Sequence, residues 1–116
     1  MKVKLLKSKI HRAVVTQADL DYVGSISIDT ALLKAAGLYE FEKVHVLDIT
    51  NGARLETYVI SAPENSGEIC INGAAAHLIK PEDKVIIVAY CSMDNEKALN
   101  HKPTIVHVDS NNKIIN

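Results

Sequence analysis

The Asn-Gly pair at residues 51 and 52 is the strongest local structural signal in this chain of 116 residues. It lies between two β-type runs, residues 43–50 and 54–60, and Val44 and Val46 fall on one face of the first run. Both residues of the pair tolerate the positive φ of a type I′ turn, which joins two strands in a tight hairpin. The pair therefore predicts an antiparallel hairpin and directs the chain toward a β-rich fold.

Short strand patterns separated by turn residues account for much of the remaining sequence. Further strands are predicted at residues 3–5, 10–16, 25–28, 68–71, 84–90 and 104–108. A closed sheet has no unpaired edges, so a compact β-barrel is the natural solution for so many short strands. The sequence thus predicts a single, mainly β domain with one or two short helices.

Helical and irregular segments are predicted from their end signals. Asp29 can cap a helix that follows it, and Gly37 can end that helix. Shorter helical turns are expected at residues 74–78 and 94–99. Two segments are expected to be exposed and irregular, namely a turn at residues 18–25 and a frayed polar tail from Asp109.

Composition argues against several classes of function. The formal net charge is −1, from 13 basic and 14 acidic residues, which is a poor match for a nucleic-acid-binding protein. The longest apolar run, residues 85–90, is too short to span a bilayer, and the N-terminus lacks the apolar stretch of a signal peptide. We therefore expect a cytoplasmic protein with neither a nucleic-acid nor a membrane partner.

The sequence also gives little support for a metal site. The five histidines form no HExxH motif and no cluster with zinc-ligand spacing, so no metal is expected. Cys70 and Cys91 form no CxxC motif and are expected to be free, buried thiols.

The pair Gly24-Ser25 has a chemical use beyond that of ordinary turn residues. A serine hydroxyl can attack the carbonyl carbon of the residue before it, in a backbone geometry that glycine permits. Donors must then hold the tetrahedral oxyanion. The resulting ester can undergo β-elimination to dehydroalanine, and hydrolysis leaves a pyruvoyl group on a new N-terminus. From the residues alone, the plain turn and the cleavage site both remain open.

An ordered set of segments resembles the pyruvoyl-dependent aspartate decarboxylases, bacterial enzymes that make β-alanine for pantothenate synthesis. The resemblance covers roughly the first nine-tenths of the chain. It rests on residues 9–12 (KIHR), 18–20 (ADL), 22–25 (YVGS), 28–29 (ID), 35–37 (AAG), 50–52 (TNG), 54 (R), 57–58 (TY) and 72–77 (NGAAAH). The resemblance implies a double-psi β-barrel and a homotetramer.

The resemblance also implies the activity and its cofactor. The reaction is decarboxylation of L-aspartate to β-alanine and carbon dioxide, through a Schiff base to a pyruvoyl group made from Ser25. Cleavage between Gly24 and Ser25 would give two chains, residues 1–24 and 25–116. The resemblance also allows for a further partner, a maturation factor that assists this cleavage.

The resemblance assigns roles to further residues. Tyr58 is the proton donor, and Lys9 and Arg54 bind substrate carboxylates. Thr57 holds the carbonyl oxygen of Gly24 and contributes to substrate binding. Backbone and amide hydrogen bonds to the substrate come from Asn72, Gly73, Ala74 and Ala75, and the pocket is lined by His11 and Tyr22.

Strand geometry bears on the residues of the 54–60 run. Arg54 and Tyr58 are four residues apart, so a regular strand places them on the same face. Thr57 faces the opposite way unless the strand twists or the pocket lies at a subunit boundary.

Two other functions remain open. In one, Ser25 stays a serine after cleavage and acts as the N-terminal nucleophile of an amidohydrolase. In the other, the chain is never cut and is a non-catalytic β-barrel binding module.

Overall fold

Eight strands form one hydrogen-bonded sheet in a computed structural model that describes residues 1–115. The strands are β1 (Lys2–Val14), β2 (Gln17–Asp19), β3 (Ser25–Asp29), β4 (Lys43–Asp48), β5 (Arg54–Ala62), β6 (Ile69–Asn72), β7 (Lys84–Asp94) and β8 (Thr104–His107). The helices are α1 (Thr30–Ala36), α2 (Asn95–Ala98) and a 3₁₀ helix at Gly73–His77. The prediction of a mainly β fold with one or two short helices is confirmed.

The order of the strands requires the sheet to curl. The order is β2-β6-β3-β5-β4-β7-β1-β8, so β1 and β2 lie near opposite ends although two residues separate them in the chain. The ends can meet only if the sheet closes on itself as in a barrel. The backbone N–H of Thr16 supports this closure by donating to the carbonyl of Ile69 at 2.8 Å. The double-psi arrangement of the connections stays a prediction.

The interior of the sheet is aliphatic. Val44 and Val46 of β4 are buried, as their alternation predicts, whereas His45 between them is half-buried. Each fully buried side chain of this kind stabilises the fold by roughly 2 kcal/mol. The largest fully buried side chains include Ile10, Ile26, Ile28, Leu32, Ile69, Ile71, Ile79 and Ile87. No helix within residues 1–115 is both long and apolar enough to cross a membrane.

Asp29 fixes the end of β3 and the start of α1. Its Oδ1 atom accepts hydrogen bonds from the backbone of Ala31 and Asn65, each at 2.8 Å, and its Oδ2 atom accepts one from Gly67 at 2.8 Å. Gly37 ends the helix with a φ of 69°. The predicted cap and stop are therefore confirmed, and the carboxylate also anchors the loop at residues 63–67.

The hairpin at Asn51-Gly52 is confirmed, because β4 and β5 pair antiparallel, but the predicted type I′ turn is wrong. Only Gly52 has a positive φ, of 80°, and the connection spans residues 49–53. Asp48 is the physical reason, because its Oδ1 atom accepts hydrogen bonds from the backbone of Thr50 and Asn51 at 2.8 and 3.2 Å. This side chain stabilises a longer turn.

Two segments expected to be irregular are ordered. The prediction of a frayed tail is wrong, because Asn112 is buried and bonds to both backbone polar groups of Val14, at 2.7 and 2.8 Å. The exposed turn predicted at residues 18–25 is shorter than expected. Its first residues belong to β2, which pairs with β6, and Ser25 at its end is buried.

Asp48 is also a buried carboxyl group with an unusual titration. Burial, aided by a side-chain hydrogen bond to Asp83, raises the pKa of Asp48 to about 6. When both carboxyl groups are ionised, Asp48 Oδ2 has no partner among the described residues, and a proton shared with Asp83 satisfies it. The pKa in the folded chain exceeds the ordinary value of 3.8, so protonation favours folding. This contribution is full below that value and is lost as the pH rises through about 6.

The variant Asp48→Asn tests this titration. Its amide can still accept from Thr50 and Asn51, and it can donate to Asp83 at every pH. At about pH 8 we expect its free energy of unfolding to exceed that of the unsubstituted chain by on the order of 1–3 kcal/mol. The gain should shrink near pH 4.5, as measured by urea unfolding.

The matched control for this test is Asp109→Asn. Backbone hydrogen bonds from Lys113 and Asn111 lower the pKa of Asp109, so this variant should show no gain at high pH. An equal effect of Asp48→Asn at both pH values would refute the shared proton.

Candidate active site

Ser25 lies where an exposed turn enters a buried strand. It is the first residue of β3 and is 1% exposed, whereas Gly24 before it is exposed. Its hydroxyl donates to the carbonyl of Val23 at 3.4 Å and accepts a hydrogen bond from Asn72 Nδ2 at 2.9 Å. The Ser25 hydroxyl and the peptide bond before it thus lie at the boundary between solvent and the packed core.

The pairing of β3 with β6 brings Asn72 to Ser25. The two strands are antiparallel, and their register places Ser25 opposite Asn72 and Ser27 opposite Cys70. Asn72 Nδ2 also donates to Ser27 Oγ at 3.0 Å, and the thiol of Cys70 donates to Asn72 Oδ1 at 3.2 Å. One amide therefore links two hydroxyls and a thiol.

Sequence reasoning missed Ser27 and Cys70. The signal was present, because polar residues alternate with isoleucine in both β3 and β6, where the isoleucines face the core. Burial, with smaller contributions from Glu68 and Asp19, raises the pKa of the Cys70 thiol. The sulfur is therefore protonated near neutral pH and acts as a donor.

Gly73 allows two stretches of backbone to approach closely. Its φ is 76°, and a Cβ atom at this position would lie 2.7 Å from Gly24 Cα and 2.9 Å from Gly24 N. Gly24 itself does not adopt a positive φ, and a Cβ there would come no closer than 4.0 Å to Asn72 O. The close approach therefore depends on glycine at 73, and packing around 24 does not require glycine.

A depression of about 420 Å³ opens in front of the Gly24-Ser25 bond. The predicted residues that line it are Gly24, Thr57, Tyr58, Asn72, Ala74 and Ala75. Leu55 and Leu78 form its apolar part, and Glu56 is its one charged residue within the described chain. The structure thus brings half of the predicted residues to one place.

Thr57 and Tyr58 both line this depression although they are consecutive in β5. At these residues β5 pairs only with β4, and its parallel pairing with β3 begins at Val59. Both side chains therefore border the space between the two neighbouring strands.

Four further predicted site residues do not line this depression. Arg54 is exposed and borders another depression, beside His45 and Tyr90. It does not reach the depression at Gly24, because four residues along the strand separate it from Tyr58 by roughly 13 Å. Tyr22 is 56% exposed and does not line the depression. The other two, Lys9 and His11, lie in β1.

Three strands of the sheet, β5, β4 and β7, lie between β1 and β3, which begins at Ser25. Lys9 pairs with Val88 of β7 and with Ile105 of β8. The ring of His11 lies 5.5 Å from that of His107, and burial followed by the Lys9 charge lowers the pKa of His11. Neither residue lines the depression at Gly24.

A larger depression, of about 570 Å³, lies on the outer face of the sheet between β1, β4, β5 and β7. Three of its titratable side chains, Lys43, His45 and Glu56, contact one another. Glu56 accepts from His45 Nε2 at 3.0 Å and lies 3.1 Å from Lys43 Nζ, and these contacts lower the pKa of Glu56. The second ring nitrogen of His45 lies 3.0 Å from the Tyr90 hydroxyl. Because Gly24 lines the smaller depression and not this one, we favour the smaller depression as the site.

The described residues contain no ready-made metal site. Within residues 1–115, no three His, Cys, Asp or Glu side chains come together in a group that could hold a metal ion. Both cysteines are free thiols, Cys70 buried and Cys91 half-buried.

Comparison with known proteins identifies close relatives. A family model described as aspartate decarboxylase matches residues 1–115. The aspartate 1-decarboxylase of Caldicellulosiruptor bescii is 60% identical over 99% of this chain and 90% of its own length. That of Corynebacterium efficiens is 63% identical over 96% of this chain and 82% of its own, and that of Clostridium novyi is 58% identical over 98% and 93%.

The variant Gly73→Ala tests the close approach at Gly24. Its Cβ would meet the Gly24 backbone, so we expect the turn at residues 20–24 to be displaced and proteolysis there to accelerate. Gly52→Ala is the matched control, because Gly52 also has a positive φ of 80° but has no atom within 4 Å of an added Cβ. Both variants bear the backbone strain of about 1 kcal/mol. Equal proteolysis of the two variants would contradict a specific contact at Gly24.

Proposed function

The chain belongs to the aspartate decarboxylase family, and we propose that it makes its reactive group from Ser25 by cutting the Gly24–Ser25 bond. Its activity is the decarboxylation of L-aspartate to β-alanine and carbon dioxide, a lyase reaction of pantothenate biosynthesis. The observation that carries the proposal is the setting of Ser25. A buried hydroxyl, held by a side-chain amide, directly follows an exposed glycine at the floor of a depression.

The proposed cleavage uses only atoms of the chain itself until its last step, which consumes one water molecule. Ser25 Oγ bonds to the carbonyl carbon of Gly24, the carbon–nitrogen bond breaks, and the nitrogen takes the hydroxyl proton. Loss of the Ser25 Cα proton then expels the Gly24 carboxylate and leaves dehydroalanine. Water replaces the nitrogen, which leaves as ammonia, and residues 25–116 end in a ketone.

The residues around the bond support this chemistry. Asn72 Nδ2, 2.9 Å from Ser25 Oγ, stabilises negative charge that develops on this oxygen. Thr57 borders the same depression as Gly24, which supports a role for its hydroxyl as the donor to the carbonyl oxygen during attack. Gly73 leaves the Gly24 backbone free to change its geometry, because a larger residue would contact it.

The surroundings of Ser25 also fit a small ketone at its position. The Asn72 amide lies beside this position, although the Oγ atom that it contacts leaves with the Gly24 carboxylate and the ketone oxygen comes from water. A pyruvoyl ketone, once joined to the substrate amine, supplies the electron sink that accepts electrons from the departing carboxylate. Tyr58 lines the depression, which supports its role as the donor of the proton that the product carbon needs.

The substrate's two carboxylates require cations that one chain does not bring to the depression. The residues that line it in the described chain include no lysine or arginine. We therefore place Lys9 and Arg54 in the site of a neighbouring subunit, Arg54 as a bidentate clamp and Lys9 as a point charge. His11 and Tyr22 complete the pocket in the same way, in a homotetramer.

An exposed apolar surface beside the cleavage site supports this assembly. Tyr22 and Val23 are 56% and 73% exposed, although both side chains are largely apolar. A neighbouring subunit that covers them would also exclude water from the site. We also propose that the protein is cytoplasmic and that a maturation factor assists its cleavage.

Intact mass measurement of the purified protein tests the cleavage. We expect two chains, residues 1–24 and 25–116, with the larger one lighter than its serine-terminated form by one molecule of ammonia. A free serine on that chain would favour the amidohydrolase, and a chain that stays uncut with any maturation factor supplied would favour the binding module. The Ser25→Ala variant should remain a single chain.

The variant Tyr58→Phe tests the proton donor and the choice of depression. We expect the mature enzyme to be cut normally but to form β-alanine on the order of 100-fold more slowly, because positioned acids contribute factors of this size. Tyr90→Phe is the matched control, since Tyr90 lines the larger depression. Slow turnover in Tyr90→Phe with normal turnover in Tyr58→Phe would move the site to the larger depression.

A further inference from the structure

We propose that Cys70 is a positioning residue for the cleavage, because its thiol sets the orientation of the Asn72 amide and so presents a donor to Ser25. This inference rests on the proposed function, which makes Ser25 the nucleophile. The contacts that carry it are Cys70 Sγ to Asn72 Oδ1 at 3.2 Å and Asn72 Nδ2 to Ser25 Oγ at 2.9 Å.

A side-chain amide can occupy its site in two orientations, related by a half-turn that exchanges oxygen and nitrogen. The two hydroxyls on one side of Asn72, from Ser25 and Ser27, do not choose between them. A hydroxyl rotates freely and can either accept from Nδ2 or donate to Oδ1. The orientation must therefore be set on the other side of the amide.

The thiol of Cys70 occupies that other side. Sulfur is a weak acceptor, so a half-turn that aimed Nδ2 at Cys70 would leave a buried amide donor poorly satisfied. Cys70 and Asn72 are 6% and 4% exposed, so solvent does not readily supply a replacement partner. The buried thiol thus favours the orientation in which Oδ1 faces sulfur and Nδ2 faces the serines.

The orientation matters because charge develops on Ser25 Oγ as it attacks. With Nδ2 toward it, Oγ accepts a hydrogen bond that strengthens as negative charge grows. With Oδ1 toward it, the serine must donate its proton to the amide, and growing charge on Oγ would face a carbonyl oxygen. The first orientation favours attack on Gly24, and the second opposes it.

Three substitutions at Cys70 separate a hydrogen-bonding role from a packing role. Cys70→Ser keeps a donor of similar size, whereas Cys70→Val keeps the volume and Cys70→Ala keeps neither. We expect Cys70→Val and Cys70→Ala to slow cleavage about tenfold, the effect of one lost hydrogen bond. Cys70→Ser should cleave at an intermediate rate, because its hydroxyl satisfies Oδ1 but, unlike the thiol, can also accept from Nδ2. The rate is the loss of uncut chain with time, followed by intact mass from freshly synthesised protein.

Cys91→Val is the matched control, because Cys91 is a half-buried thiol of β7 outside this network. It should cleave at the unsubstituted rate. Normal cleavage of Cys70→Val, or slower cleavage of Cys70→Ser than of Cys70→Ala, would overturn the proposal. If the unsubstituted chain is never cut, the proposed function fails instead, and a second readout decides the role of Cys70.

That second readout is the orientation of the Asn72 amide, measured in the uncut Ser25→Ala chain. Nuclear Overhauser contacts should join the Nδ2 protons of Asn72 to the Ser27 side chain when residue 70 is Cys. In Cys70→Val these contacts should weaken as the second orientation becomes populated. Identical contacts in the two chains would overturn the positioning role whether or not the protein is cleaved.

Discussion

The antiparallel pairing of β3 with β6 is the interaction on which the rest of the site depends. Its register sets Ser25 opposite Asn72, and the strand period places Ser27 and Cys70 in the same polar row. A slip of one residue would exchange this row with the isoleucines that fill the core. The aliphatic core therefore fixes the site, because the burial that selects the register also delivers the amide to the hydroxyl.

The site combines a rigid side with a side that can change. Asp29 anchors the end of β3 through three backbone hydrogen bonds, and Asn72 holds its start. The peptide bond before Ser25 lies in an exposed turn whose backbone is free to adjust beside Gly73. The Ser25 hydroxyl is thus held on a strand while the Gly24 carbonyl lies in a turn, an arrangement that suits the proposed attack within one chain.

Sequence patterns predicted the features that are encoded locally and missed those encoded by distant contacts. Asp29 and Gly37 were predicted correctly because a helix cap and stop depend on neighbouring residues. The type I′ turn was wrong because Asp48, three residues before Asn51, captures the turn's amide groups. The prediction of a frayed tail was wrong because the contact that orders the tail joins Asn112 to Val14, 98 residues away, and no local pattern reveals it. In the site, the alternation in β3 and β6 could have revealed Ser27 and Cys70. The position of Arg54 outside the depression follows from its distance along β5, whereas that of Lys9 depends on the order of the strands in the sheet.

The central claim is that substrate reacts at a carbonyl group made from Ser25. Its most direct test is reduction of the purified enzyme with cyanoborohydride in the presence of isotopically labelled L-aspartate, followed by mass measurement of each chain. The account predicts a labelled adduct at the N-terminus of residues 25–116, none on residues 1–24, and none in the Ser25→Ala variant. Active enzyme that carries no adduct on that N-terminus, or that keeps a free serine there, would contradict it.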